Sequence, residues 1–471
     1  MKENIIGRKE EKLTLRRIYD SDKSEFVAVC GRRRVGKTFL VREYFEGKIV
    51  FQTSGLANGN MANQIKSFYA DMIEQGLPPQ EQVPKDWLET FMLLRTLIKQ
   101  NSQERKVILL DELPWMDTPR SHFISALEHF WNSWASARHD IVLMVCGSAT
   151  SWMMDKLINN YGGLYNRLTY TIFLEPFTLR ECEEFLKSRG HRLSRYEIAE
   201  YYMIMGGIPF YLEMLDSKLS LSQNIDELLF RPNGLLTNEF PNLYRALFKN
   251  SELYVKLVSA LSARRAGMTR AEIIESTKLE SGNGLTTALR NLESCGFIRQ
   301  YRQFKPSRNE STVYQLVDFF TLFYFNFLTK HKTAKWSDLQ GKAEFYSWAG
   351  LTFELLVMLH SKQIKDVLKI GGVSTQEYTW RWADERGGAQ IDLVIDRADN
   401  TVNICEVKFS INPYSIDKDY EMNLRNKLAT FIERASKNKS VQLTFITTYG
   451  LNHNAHSSVV NNEITLDDLF Q

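Results

Sequence analysis

Eight consecutive residues, Gly31-Arg32-Arg33-Arg34-Val35-Gly36-Lys37-Thr38, have the spacing G-x-x-x-x-G-K-[ST], which suits phosphate binding. Glycines let successive backbone N–H groups close on an anion, and a helix starting at the loop's end adds a favourable dipole. Lys37 is placed to reach the β- and γ-phosphates of ATP and Thr38 to ligate Mg²⁺, with Gly31, Arg34, Val35, Gly36 and Phe39 lining the nucleotide. Downstream, Val107-Ile-Leu-Leu-Asp111-Glu112 is an apolar run ending in two carboxylates. After such a loop, Asp111 would hold the metal through water and Glu112 would serve as general base.

Two further groups carry chemistry. Glu406 and Lys408 lie two apart in a strand-like run and so share a face, and an earlier run contains Asp392. Residues 252–310 hold ten Lys or Arg against six Asp or Glu, a local net of +4, which leaves about −1 for the remainder of a chain whose net charge is +3. Within that stretch Thr286, Thr287, Arg290 and Asn291 have base-reading chemistry, and Arg299, Arg302, Lys305 and Arg308 have phosphate-binding chemistry.

The elements that must position these groups follow from periodicity. Phe26 to Cys30 reads as a buried strand before the Gly31 loop and Thr38 to Phe45 as a helix after it. Further strands are expected at 49–52, 107–110 and 141–146, separated by amphipathic helices at 61–75 and 87–99. That alternation predicts a parallel α/β sheet. From Leu174 the pattern turns helical, with helices expected at 178–189, 194–205 and 209–219. Three helices then precede two strand-like runs, from Gly296 and Thr312, which together describe a winged helix. A polar stretch, His331 to Gly341, is expected to separate this from a last α/β segment with helix 345–362 and strands 390–395 and 402–409.

The chain's 471 residues exceed one core, and 44% apolar with 24% charged residues is ordinary globular usage. The near balance of 59 basic and 56 acidic side chains argues against a nucleic-acid sponge. No run approaches the ~20 apolar residues of a membrane span, so a cytoplasmic protein without membrane contact is expected. Five cysteines without a CxxC pair argue against a zinc site and fit reduced, buried thiols.

With these motifs in place, residues 1–240 resemble the AAA+ ATPases, particularly an archaeal and Bacteroides branch with a Gly-Arg-Arg-Arg loop and a Leu-Asp-Glu strand. The resemblance implies that Arg8, in Gly7-Arg8, lies near the nucleotide, and that Ser148 senses the γ-phosphate. It also implies that Arg167 acts as a finger, and that Pro209, in Gly206-Gly207-Ile-Pro209, belongs to the lid near adenine. Whether Arg167 serves its own subunit or a neighbour is open, so a homo-oligomer is among the expected partners with ATP, ADP and DNA. Residues 342–471 resemble the PD-(D/E)XK nuclease core. That implies Mg²⁺ held by Asp392 and Glu406 with Glu354 as leading acid, and Lys408 activating water.

The expected architecture is a P-loop NTPase parallel sheet at 1–175, a helical lid at 176–245, a winged helix-turn-helix at 246–330 and a restriction-endonuclease-like α/β domain at 342–471. The function implied is ATP-dependent action on DNA, with DNA contacts at Arg290, Arg299 and Arg302. The alternative is a nucleotide-dependent signalling switch whose later domains bind without cutting. A winged helix can also be a protein-docking module.

Overall fold

Apolar runs form the strands where the spacing predicts them. In the computed structural model β1 (Glu25–Cys30), β2 (Ile49–Ser54), β3 (Lys106–Asp111), β4 (Ile141–Gly147) and β5 (Tyr170–Phe173) pair as a wholly parallel sheet in the order β2-β3-β4-β1-β5. Every residue of β1, β3 and β4 is buried, as expected for central strands covered on both faces. Helices Met61–Glu74, Trp87–Gln100 and Phe123–Ser133 cover one face through an apolar cluster that includes Phe68, Trp87, Phe91 and Phe130. The structure describes all residues except 1–4, 149, 159–165, 265, 303, 305–311, 332–333, 385–386 and 437. The chain divides into two units, 1–176 and 177–471.

The second unit opens with helices Leu179–Ser188 and Arg195–Met205, each started by a capping box, Thr178 with Glu181 and Ser194 with Glu197. Gly206 and Gly207 follow, both left-handed, and a Cβ on Gly207 would lie 2.4 Å from the Phe177 carbonyl. The pair stops the helix. The helix expected over 209–219 is shorter, ending at Leu212. Helices Ser251–Ser262, Arg270–Thr277 and Asn283–Ser294 then accompany a three-stranded antiparallel sheet of β6 (Met268–Thr269), β7 (Ile298–Tyr301) and β8 (Val313–Leu316), ordered β6-β8-β7.

The polar stretch 331–341 is not an open linker. Trp336 is fully buried and packs on Phe323, Phe327, Phe345 and Trp348. One indole among polar neighbours outweighs them, because it removes so much apolar area from water. The helix expected over 345–362 runs Ala343–Leu359, breaks at His360 and resumes at Ser361–Val367.

Last comes a mixed sheet in which β15 (Asn462–Thr465), β13 (Ser440–Thr447), β11 (Thr401–Lys408), β10 (Gly387–Arg397) and β9 (Thr375–Asp384) lie side by side in that order. β9, β10 and β11 form an antiparallel meander. β11, β13 and β15 are parallel, with helix Lys418–Ala435 lying between β11 and β13 in the chain. A small parallel pair, β12 (Tyr414–Ser415) and β14 (Leu451–Asn452), stands beside them. β9 and β13 are strands that periodicity did not reveal.

Candidate functional site

The Gly31 loop joins β1 to helix Lys37–Tyr44. Gly31 has φ 142°, and a Cβ there would lie 2.4 Å from the Leu174 carbonyl oxygen, so only glycine fits. Gly36 and Arg34 are also left-handed, with φ 92° and 73°. Lys37, the first helical residue, is buried and its Nζ donates to the carbonyls of Gly31 at 3.0 Å and Arg32 at 2.9 Å. Burial pulls its pKa down, against the opposing charges of Glu112 and Asp111. Arg8 donates to the Val35 carbonyl at 3.2 Å, which ties the opening motif to the loop. Phe39 is exposed one residue beyond Thr38.

Because β1 and β3 flank β4, the end of β3 comes beside the loop. Thr38 Oγ1 donates to Asp111 Oδ2 at 2.9 Å. Glu112 turns left-handed, φ 44°, and its carboxylate accepts from Ser148 Oγ at 2.9 and 2.8 Å. Ser148 directly follows β4, so adjacent parallel strands deliver both partners. Sequence reasoning assigned Ser148 to the γ-phosphate; here its hydroxyl is engaged by Glu112. A hydroxyl and a carboxylate in contact are oxygen donors that suit Mg²⁺, which is held by one or two carboxylates with phosphates and water. Arg167 is exposed, while residues 163–165 of its motif lie outside the described residues. Pro209 is the first residue of the short helix Pro209–Leu212, in the second unit.

A cavity of about 340 Å³ lies within the C-terminal unit, and Glu354, Asp392, Glu406 and Lys408 all line it. Glu354 comes from helix Ala343–Leu359, Asp392 from β10 beside a register irregularity, and Glu406 and Lys408 from β11. Glu406 is nearly sealed. Its Oε1 accepts from Tyr420 at 2.7 Å and faces Lys408 Nζ at 3.1 Å, and its Oε2 accepts from Lys427 at 2.7 Å. Burial alone would raise this carboxyl, but the two lysines bring it below the ordinary value. Burial and then the Glu406 charge raise Asp392, whose Oδ1 accepts from Gln390 at 2.7 Å.

Among the described residues no three His, Cys, Asp or Glu gather closely enough to cage a metal. The expected trio of Glu354, Asp392 and Glu406 therefore shares a cavity without forming a three-acid cage. Asp392 and the one lone pair that Glu406 has left, on Oε2, are oxygen donors that could take a hard cation whose shell is completed by water. Lys427, Tyr420 and Arg381 escaped sequence reasoning. The signal for Arg381 was the alternation Tyr378, Trp380, Trp382 in β9, which turns those rings to the core and leaves Thr379 and Arg381 on the cavity side.

The three arginines assigned to DNA divide. Arg290 and Arg302 are exposed. Arg299 is not on an open face: its Nε donates to Gln315 at 2.9 Å, its Nη2 reaches Met358 Sδ at 2.9 Å, and it lines the carboxylate cavity. The reason is that β7 is covered. Two residues past Arg302, Phe304 pairs with the Thr379 carbonyl at 2.8 Å and enters the core against Phe431 and Tyr378. Lys305 and Arg308 lie outside the described residues. All five cysteines are buried and free, and among the described residues no helix is long and apolar enough to cross a membrane.

Residues 6–215 match the profile of an ATPase domain found predominantly in Archaea. An uncharacterized protein of Methanocaldococcus jannaschii is 26% identical over 423 residues, covering 86% of this chain and 87% of that protein. An uncharacterized ATP-binding protein of the same organism is 39% identical over 50 residues, 11% of this chain and 85% of that one. The Walker-type ATPase of Pyrococcus abyssi shares the fold with TM-score 0.52 at 18% identity, over 69% of this chain and 97% of that chain. Residues 6–215 are thus similar to an archaeal ATPase domain, and the chain shares the fold of a Walker-type ATPase.

Proposed function

We propose that the chain is an AAA+ ATPase that hydrolyses ATP and acts on DNA through a winged helix and a PD-(D/E)XK-type domain. The observation that carries hydrolysis is the Glu112 carboxylate held by Ser148 next to the Thr38–Asp111 pair. Thr38 and Asp111 would hold Mg²⁺, which when bound neutralises developing phosphoryl charge. Lys37 exchanges its two loop carbonyls for the β- and γ-phosphates. Glu112, aimed by Ser148, takes the proton of the attacking water. Arg8, Arg34, Val35 and Phe39 complete the nucleotide's surroundings, with Arg167 as finger.

In the C-terminal cavity Asp392 and Glu406 would hold Mg²⁺, whose chemistry there is Lewis-acid activation of a phosphodiester. Lys408 orients the water, and Lys427 and Tyr420 fix Glu406. One observation favours the alternative of a nucleotide switch that binds without cutting: Glu406 already has three partners. The deciding experiment measures ATP turnover alone and with duplex, single-stranded and branched DNA, alongside plasmid nicking in Mg²⁺ or Mn²⁺. DNA-stimulated turnover supports the machine, and DNA-indifferent single turnover without nicking supports the switch.

A further inference from the structure

The cavity carries more positive charge than its carboxylates require. Lys408 and Lys427 are both spent on Glu406. Two guanidinium groups that line the same cavity are not. Among the described residues Arg299 bonds to the Gln315 amide and the Met358 sulfur besides lying 5.3 Å from the Tyr301 ring, and Arg381 donates to the Ala266 carbonyl at 2.9 Å. Neither makes an ion pair among the described residues. They come from different modules, Arg299 from β7 of the central sheet and Arg381 from β9 of the C-terminal sheet. Those modules are locked together there, since Phe304 pairs with Thr379 and both Tyr301 and Arg381 donate to the Ala266 carbonyl.

Guanidinium forks recognise phosphate oxygens in pairs, and half-buried ones do so with less competition from water. We propose that Arg299 and Arg381 form a phosphate clamp for a nucleic-acid strand entering the Asp392–Glu406–Lys408 cavity, so that the central module supplies a substrate-positioning residue to the C-terminal site. This rests on the cavity being a phosphodiester site. The clamp holds a backbone phosphate beside the carboxylates.

The test uses the full-length protein and fluorescein-labelled 20-mers, single-stranded and duplex, read by anisotropy over a salt series without divalent cation. Arg299→Gln and Arg381→Gln, singly and together, are compared with Arg290→Gln and with Arg299→Lys, and circular dichroism checks each fold. Expected is a loss of about tenfold or more for each clamp variant. The log–log salt slope should fall by roughly 0.9 per lost contact on duplex or 0.7 on single strands, with partial recovery in Arg299→Lys. Folded clamp variants that keep wild-type affinity and slope overturn the clamp, as does a wild type that binds neither strand form. Nicking in Mn²⁺ is scored separately: clamp-dependent binding with no nicking, unaltered by Asp392→Asn, sinks the cleavage reading while leaving the clamp standing.

Discussion

Ser148 and Glu112 come from the ends of adjacent parallel strands and meet with hydroxyl–carboxylate distances of 2.9 and 2.8 Å. That contact fixes the carboxylate next to the Mg²⁺-type donors Thr38 and Asp111. Glu112→Gln should therefore bind ATP and fail to turn it over, with a loss of about 10²–10⁴ in rate, the range of a general base. Ser148→Ala leaves the base in place but unaimed, so its kcat should fall less while ATP affinity holds. A phosphate-release assay beside a nucleotide-binding titration checks both. Wild-type kcat in Ser148→Ala would show that the contact orients nothing.

Lys37 is the residue whose loss should be felt in binding. Lys37→Ala removes the charge that would meet the β- and γ-phosphates. For the wild type, ATP at about 100 times Kd should add ~2.7 kcal/mol of stability, seen as an upward shift in Tm. The variant should show almost none of this shift at the same concentration. An equal shift in both proteins would remove Lys37 from the nucleotide site.

Stability should also respond to pH through Glu200. This side chain is 2% exposed, accepts from Gln340 Nε2 at 2.7 Å, and burial raises its pKa from 4.5 to about 7. A raised folded-state value means the folded protein holds the proton more tightly. Its stabilisation is complete below the unfolded value and is lost as pH climbs through 7, a change of roughly 3 kcal/mol. His360 acts the other way. Its Nε2 accepts from the Leu179 backbone N–H at 3.1 Å and burial lowers its pKa from 6.5 to about 4, so its contribution is present above 6.5 and lost toward 4. Urea melts from pH 4 to 8 should show Glu200→Gln flattening the loss between pH 5 and 7. A slope unchanged by that substitution would place the titration elsewhere.

How much of this was legible depended on distance along the chain. The Gly31 loop and Asp111-Glu112 are local patterns whose chemistry and geometry lie within a few residues, and β1, β3 and β4 are apolar throughout. Glu406 and Lys408 were legible for the same reason. Lys427 was not, because it reaches Glu406 from a separate helix and nothing local marks it. Arg299 was expected on an open wing because alternation along β7 gives the face a residue points to, not what covers that face. Trp336 misled because a polar neighbourhood hides one large buried ring.

The two lysines on Glu406 should separate stability from chemistry. Lys427 Nζ lies 2.7 Å from Oε2 with its side chain 17% exposed, while Lys408 Nζ lies 3.1 Å from Oε1 and is 32% exposed. The shorter, drier contact is the anchor, and a hydrogen bond to a charged group of this kind is worth about 1.5–3 kcal/mol. Lys427→Met should thus lower the urea midpoint clearly, because Glu406 keeps only Lys408 and Tyr420. Lys408→Met should cost less stability, since the wetter pair is screened by solvent, yet it should end Mg²⁺- or Mn²⁺-dependent nicking. Burial would lower the pKa of Lys408, but Glu406 first, then Tyr414 and Glu354, raise it, so it stays a cation able to orient water at neutral pH. Melts and plasmid nicking on the same two variants give the split. If Lys427→Met melts like wild type while Lys408→Met unfolds, the roles are reversed and Lys408 is the structural partner of Glu406.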